Sequence, residues 1–243
     1  MNKTFLFDLD DTLIENQTKY SLCQAEFLTF AIKRLGHKVA DAKTILNMQV
    51  DIDHALVKTQ GFSSERFPMS FRETYRQLCE KLGTEDKPGE DLAYAIGQGV
   101  FDEPRWVAGG SGLIKGAKET LDFLVSQNDE LRLVTLGDLA IQNRKIEVYG
   151  LKRWFGERVY ITSKKDRSFF ESVVADRSKQ SIWVIGNSIR SDVLPALEAD
   201  LKVIYVPCET WDYDRVHNGV PKSDKLITLD KLQNLISIYP DLK

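Results

Sequence analysis

The chain has 243 residues, 42% of them hydrophobic, which is enough to fill the core of one large domain or of two small ones. Lysine and arginine total 33 against 36 aspartate and glutamate residues, so the formal charge of -3 gives no support for a nucleic acid or a membrane surface as partner. The three cysteines are scattered without CxxC spacing, which indicates reduced, mostly buried thiols rather than a disulfide framework or a zinc site.

The chain begins MNKTFLFDLDD, a short apolar stretch that runs straight into acidic residues. The stretch is too short for a signal peptide, and no later apolar run is long enough to span a bilayer. We therefore expect a cytoplasmic protein without membrane contact. Residues 4–7 are nearly continuously apolar, which predicts a strand buried on both faces.

Residues 14–108 contain few strand patterns, and helical spacing prevails. Before Gly36, one helical face is marked by Cys23, Phe27, Phe30 and Ala31. A second helix is predicted over residues 68–83, because Pro68 stands early and Gly83 late in it. Its inward face is predicted to carry Phe71, Tyr75 and Leu78. The Gly-Gly-Ser-Gly run at 109–112 then indicates a hinge.

The second half of the chain alternates strand and helix patterns. Apolar runs predict strands at 131–135, 181–185 and 203–206, and a weaker run predicts another at 158–162. After Gly116, one helical face is predicted to carry Ala117, Leu121, Leu124 and Val125. The alternating order predicts a doubly wound α/β fold, with a sheet domain of residues 1–13 and 109–243 interrupted by a helical insert of residues 14–108.

The first strand delivers Asp8 and Asp10 to its carboxyl end, where open α/β sheets bind ligands. If strand geometry persists that far, both carboxylates point to one side. Two ionised carboxylates this close repel, so one is neutralised by a cation or holds a proton, which suits one nucleophile and one acid/base. A calcium loop from Asp8 would need Gly and Glu where the chain has Leu13 and Lys19, and it is excluded. A solvated acidic turn stays open.

The segment FLFDLDDTL resembles the first motif of the haloacid dehalogenase superfamily, whose phosphatases carry an apolar strand ending in DxDxT. The second motif, a strand ending in Thr or Ser, is similar to LRLVTLGD, in which Thr135 would bind a phosphate oxygen beside the backbone N–H of Leu136. The third motif is a lysine, which TSKKDRSFF supplies as Lys165, with Lys164 as the rival.

The fourth motif is similar to WVIGNSIRSDVLPALEAD, with Asp192 in the metal-binding position and Asn187 where many relatives have aspartate. The resemblance implies that Asp8 attacks phosphorus to form an aspartyl phosphate and that Asp10 is the acid/base. It implies Mg²⁺ held by Asp8, Asp192 and the backbone carbonyl of Asp10, with Asn187 as a ligand directly or through water. Lys165, together with Thr135, would stabilise the transferring phosphoryl group.

The resemblance also implies a Rossmann-like core with a helical cap inserted at 14–108, and a small phosphorylated metabolite as substrate. A 2-haloacid dehalogenase attacks carbon, needs no metal and generally lacks the second acid, so Asp10 argues against it. A phosphomutase stays open, and so does a non-catalytic binding module, which would be expected to have lost Asp8 or Lys165. The protein is expected to be a monomer or a homodimer.

Other polar residues receive weaker expectations. Thr12 either orients the loop around Asp10 or caps a turn, and Asp11 is expected to be structural or solvated. Four charged residues of the insert region could each face substrate or solvent, and solvent is the favoured expectation for all of them: Glu15, Lys19, Arg66 and Arg72. No catalytic role is assigned to His37, His54, His217, Trp211 or Tyr213.

Overall fold

The computed structural model describes residues 2–36, 39–108, 112–208 and 219–242. The chain divides into two compact units, one of Met1–Gln17 with Gly109–Lys243 and the other of Thr18–Ala108. Among the described residues, no helix has both the length and the hydropathy needed to cross a bilayer. Several sequence predictions lie outside the described residues, namely those for His37, His217, Trp211, Tyr213 and most of the hinge at 109–112.

The first unit is built on one sheet of six parallel strands in the spatial order β3-β2-β1-β4-β5-β6. The strands are β1 (Thr4–Phe7), β2 (Glu130–Leu136), β3 (Val159–Thr162), β4 (Ile182–Gly186), β5 (Lys202–Tyr205) and β6 (Leu226–Thr228). Five of them match the predicted strands to within one residue at each end, and β6 was not predicted. β1 and β4 are buried over their whole length, as apolar central strands of a parallel sheet should be. The doubly wound α/β fold is confirmed.

The second unit is helical. Its helices are α1 (Gln17–Leu35), α2 (Ala42–Gln60), α3 (Arg66–Lys81), α4 (Lys87–Gln98) and α5 (Glu103–Val107). The predicted helix at 68–83 is α3, which begins two residues earlier, and Gly83 follows it with φ +66°. Phe71, Tyr75 and Leu78 are fully buried, as predicted, and Phe71 stacks on Phe27 of α1 with ring centroids 4.7 Å apart. This unit therefore has an aromatic core of its own.

The remaining helices belong to the sheet unit: α6 (Ala117–Ser126), α7 (Leu139–Val148), α8 (Lys152–Phe155), α9 (Arg167–Val173), α10 (Leu194–Glu198) and α11 (Asn234–Ile238). The side chains of Asp138 and Asp166 cap the first turns of α7 and α9 by accepting backbone N–H bonds. The prediction for Val125 of α6 is wrong, because Val125 is 46% exposed while Leu121 and Leu124 are buried. Val125 lies about 100° around the helix from Leu124 and so faces outward.

Candidate active site

The predicted motifs meet at the carboxyl edge of the sheet, between β1 and β4. From β1 the chain builds outward to β2 and β3 on one side, and then to β4, β5 and β6 on the other. This reversal leaves a crevice between the central strands, which is where open α/β sheets hold their ligands. Asp8 follows β1 and donates its backbone N–H to the carbonyl of Ile185, and Asn187 follows β4.

Lys165 lies between two buried carboxylates in this crevice. Its Nζ donates to Asp8 Oδ1 at 2.5 Å and to Asp192 Oδ1 at 2.7 Å. The side chains of Lys165 and Asp192 are each 1% exposed and that of Asp8 is 9% exposed. The rival Lys164 is 78% exposed and pairs with Asp166 instead. The structure thus brings Lys165 into the site and leaves Lys164 at the surface.

Burial dominates the electrostatics of this cluster. Burial raises the pKa of Asp8 to about 7, against the lowering effect of the Lys165 ammonium, and the carboxylates of Asp192 and Asp10 raise this pKa further. Burial alone would lower the pKa of Lys165. The carboxylates of Asp192 and Asp8 outweigh this effect and hold the pKa of the ammonium above its usual value. A further cation near Asp8 would therefore stabilise its ionised carboxylate, which burial disfavours.

The loop after β4 holds Asp192 against the backbone. The Asp192 carboxylate accepts the backbone N–H of Ser188 at 3.0 Å, and its side chain lies over Gly186. A Cβ at position 186 would come within 2.3 Å of Asp192 Cγ, so only glycine leaves room for this carboxylate. Thr12 Oγ1 lies 3.1 Å from both Asp8 Oδ2 and Asn187 Oδ1, which places Thr12 beside Asp8 rather than Asp10.

Asp10 has partners that the sequence did not predict. β1 ends at Phe7, so the condition for Asp8 and Asp10 to share one strand face is not met. The Asp10 carboxylate accepts from Lys145 Nζ at 2.7 Å on Oδ1 and from Gln142 Nε2 at 2.9 Å on Oδ2. Both partners come from α7 and are buried, with Gln142 2% and Lys145 6% exposed. Two polar residues spaced i, i+3 in a helix that follows the second motif are the only sequence signal for them.

Thr135 is joined to the same network. It is 1% exposed, stands in β2 before Leu136, and its Oγ1 accepts from Gln142 Nε2 at 2.6 Å. The carbonyl of Leu136 also lies 3.2 Å from Gln142 Nε2. Lys145 in turn contacts Asn16 Oδ1 at 3.1 Å. The loop after β1 and the end of β2 are therefore connected through α7.

The residues present fit a hard divalent cation. Two carboxyl groups, Asp8 and Asp192, face the single Lys165 ammonium, so the cluster with both carboxyl groups ionised would have one excess negative charge, which is unfavourable inside a protein. Within the described part of the chain, no three Asp, Glu, His or Cys side chains group as metal ligands. A set of two carboxylates completed by amide or carbonyl oxygens and water is nevertheless what Mg²⁺ takes, since it keeps several waters.

The expectation of solvent exposure for four charged residues of the insert region agrees with the structure for two of them and not for the other two. Glu15 is exposed and Arg72 is partly exposed. The expectation of solvent exposure is wrong for Lys19, which is 8% exposed, and for Arg66, which is 5% exposed and forms a buried ion pair with Asp53. The ion pair explains the burial of Arg66, because a charge leaves water readily only when it is paired.

Asp11 is a structural residue, as one of the two expectations had it. It adopts φ +59°, and its Oδ1 accepts the backbone N–H groups of Asn16 at 2.8 Å and Gln17 at 2.9 Å. Burial raises the pKa of Asp11 to about 6, although these two hydrogen bonds oppose the shift. Asp11 therefore shapes the turn after β1.

Comparison with known proteins gives one curated relative and many structures of the same fold. The pyrimidine 5′-nucleotidase PynA of Streptococcus pneumoniae is 27% identical over 211 residues, covering 84% of this chain and 83% of its own. A haloacid dehalogenase-like family hydrolase of Xanthomonas campestris has TM-score 0.77 and 23% identity, covering 99% of this chain and 91% of its own. The hydrolase YfnB of Bacillus subtilis, solved bound to magnesium, has TM-score 0.64 and 18% identity, covering 98% and 99%. No family model matches the chain.

Proposed function

We propose that this chain is a phosphatase of the haloacid dehalogenase superfamily that hydrolyses a small phosphorylated metabolite through the carboxylate of Asp8. The observation that carries the proposal is the buried position of Asp8 at the sheet crevice, held by Lys165 at 2.5 Å, with a second acid, Asp10, held separately by α7. One carboxylate is placed to attack and the other to move protons. Two carboxylates with different surroundings are the usual basis for separate nucleophile and acid/base roles.

The reaction has two halves. In the first, an oxygen of ionised Asp8 forms a bond to phosphorus while the bond from phosphorus to the substrate oxygen breaks, and the Asp10 carboxyl gives its proton to that leaving oxygen. In the second, Asp10 takes a proton from a water molecule that attacks the phosphorus of the aspartyl phosphate. This step releases inorganic phosphate and restores Asp8.

Positive charge and hydrogen-bond donors stabilise the transferring phosphoryl group. Lys165 supplies an ammonium beside Asp8, and a preorganised charge in a buried site is worth far more than one in water. Thr135 and the backbone N–H of Leu136 would bind the phosphoryl oxygens. Because Thr135 Oγ1 accepts a hydrogen bond from Gln142, its own hydroxyl hydrogen is available to a phosphate oxygen.

Mg²⁺ is the proposed cofactor. Asp8, Asp192 and the backbone carbonyl of Asp10 would hold it, with Asn187 as a ligand directly or through water. When bound, it screens the charge between the Asp8 carboxylate and the phosphate dianion. Asn187 in place of an aspartate keeps an oxygen donor but adds no charge.

The helical unit Thr18–Ala108 is proposed as the cap that selects the leaving group. Support comes from its place in the chain between the first and second motifs and from its separate aromatic core. A nucleoside 5′-monophosphate is the first substrate to test, because the curated relative is named a pyrimidine 5′-nucleotidase. The free thiols of Cys23 and Cys79 are buried, which suits a cytoplasmic protein, and a monomer or homodimer is expected.

The test is hydrolysis of p-nitrophenyl phosphate with Mg²⁺ and with EDTA. Asp8→Asn keeps the shape of the side chain and removes the nucleophile, so it should abolish turnover. Lys165→Met should do the same, whereas Lys164→Met, its exposed neighbour, should keep wild-type activity. A folded wild type without Mg²⁺-dependent turnover, or an active Asp8→Asn variant, would overturn the proposal. Phosphoryl transfer to a second hydroxyl, detected by product analysis, would identify a mutase instead.

A further inference from the structure

We infer that Gln142 and Lys145 of α7 are positioning residues that set the direction of the Asp10 carboxyl and couple it to the phosphate-binding hydroxyl of Thr135. This inference rests on the proposed function. Gln142 and Lys145 are spaced i, i+3, so they lie on one helical face. That face is buried, and the Asp138 cap fixes the start of the helix that carries it. Neither residue belongs to the four motifs recognised in the sequence.

Each oxygen of Asp10 has its own donor. Lys145 Nζ lies 2.7 Å from Oδ1 and Gln142 Nε2 lies 2.9 Å from Oδ2. Two donors on two different oxygens fix the plane of the carboxyl group, which a single donor cannot do. A carboxylate offers about four lone-pair positions, so each oxygen can still exchange a proton with substrate or water. Proton transfer requires such a fixed direction, because donor and acceptor must come within hydrogen-bond reach.

The orientation of the Gln142 amide follows from its partners. Asp10 Oδ2 and the carbonyl of Leu136 both accept hydrogen bonds, so the Gln142 atom that faces them must be the NH₂ group. The same NH₂ lies 2.6 Å from Thr135 Oγ1. One amide therefore ties the acid/base to the hydroxyl that would bind the phosphate, and a shift of either would be transmitted to the other.

Because Gln142 and Lys145 are buried, loss of their hydrogen bonds would destabilise the folded protein. Gln142 and Lys145 are almost completely buried. A buried polar group left without its partner costs more than the hydrogen bond contributes, so the network favours one arrangement. A purely structural network would stabilise the fold without regard to the leaving group of the substrate. A positioning network acts on one chemical step, the transfer of the Asp10 proton.

Substrates with different leaving groups distinguish a positioning role of Gln142 and Lys145 from a purely structural one. p-Nitrophenolate leaves without a proton, whereas the alkoxide of benzyl phosphate needs one from Asp10. The quantity to compare is kcat/KM, which covers the steps through release of the alcohol. For Lys145→Met we expect kcat/KM to fall about 100-fold with benzyl phosphate, within the range of general acid catalysis, and less than about threefold with p-nitrophenyl phosphate. Gln142→Met also removes the donor to Thr135 Oγ1, so its kcat/KM should fall with both substrates, but about tenfold or more further with benzyl phosphate. Asp10→Asn should show the same dependence on the leaving group.

The controls separate folding, positioning and the proposed function. Arg144→Met changes an exposed residue of the same helix and should leave both values unchanged. Lys145→Met leaves a carboxylate unpaired and can fail to fold, but Gln142→Met removes only a neutral amide and still tests the inference. Equal losses with the two substrates, or no loss, would overturn the inference while wild-type hydrolysis stays intact. Absence of Mg²⁺-dependent hydrolysis in the wild type would overturn both the inference and the proposed function.

Discussion

Replacing Lys165 by methionine removes the one ammonium that lies between Asp8 and Asp192. The three side chains are at least nine-tenths buried, so water cannot compensate for the lost charge. Breaking a buried ion pair by removing one partner costs about 3–5 kcal/mol of unfolding free energy. For a chain of this size each kcal/mol lowers Tm by about 2–4 °C. We therefore expect Lys165→Met to melt about 6–20 °C below wild type at pH 7 in EDTA.

The loss of stability in Lys165→Met should depend on pH, and the raised pKa of Asp8 determines the direction of that dependence. Burial raises the pKa of Asp8 from 3.8 to about 7 in the folded chain, so between these values the folded state binds the extra proton. Stability of the metal-free protein should thus fall as pH rises through this window. Without the lowering effect of Lys165 the pKa of Asp8 rises further. The loss in Lys165→Met should therefore be smaller at pH 5 than at pH 8.

The assay is thermal unfolding followed by circular dichroism from pH 5 to 8 in EDTA. Lys164→Met is the matched control, because it removes the same charge one residue away at an exposed position. It should melt within about 2 °C of wild type, since surface substitutions usually change stability by less than about 0.5 kcal/mol. If Lys165→Met and Lys164→Met melt together, or if their difference does not change with pH, the reasoning about the buried cluster is wrong.

Three further changes test other parts of the account. Phe71→Ala should cost about 3–5 kcal/mol by removing a buried ring that stacks on Phe27, measured by guanidinium unfolding, and a loss below about 1 kcal/mol would contradict that packing. Gly186→Ala should place a methyl group against Asp192 and weaken Mg²⁺ binding in calorimetry, and wild-type affinity would contradict the close approach. Asn187→Asp should tighten Mg²⁺ binding by adding a carboxylate oxygen, and unchanged affinity would exclude position 187 from the metal site.

The sheet could be predicted because its central strands have an unambiguous pattern. β1 and β4 are continuous apolar runs followed at once by polar residues, so both the strand and its functional end could be identified. β6 has only three residues, none of them fully buried, and an edge strand of this kind leaves little trace in the sequence. Its place is decided by pairing with β5, a tertiary contact that local sequence does not encode.

Polar residues were harder to place, because their burial depends on partners far away in the chain. Buried Arg66 pairs with Asp53 in another helix, and buried Lys145 pairs with Asp10, which precedes it by 135 residues. A lysine or glutamine in a helix is usually solvated, so the i, i+3 spacing of Gln142 and Lys145 after the second motif was too weak a signal to place them at the site. The choice between Lys164 and Lys165 likewise depends on how the chain turns between β3 and α9.

The central claim, covalent catalysis by Asp8, is tested most directly by trapping the phosphorylated enzyme. Asp10→Asn should still be phosphorylated by p-nitrophenyl phosphate, whose leaving group needs no proton, but should hydrolyse the aspartyl phosphate slowly. After acid quenching, peptide mass spectrometry should find one added phosphoryl group, removable by hydroxylamine, on the peptide that contains Asp8. No phosphoryl group on that peptide during rapid turnover, or one on another residue, would contradict the account.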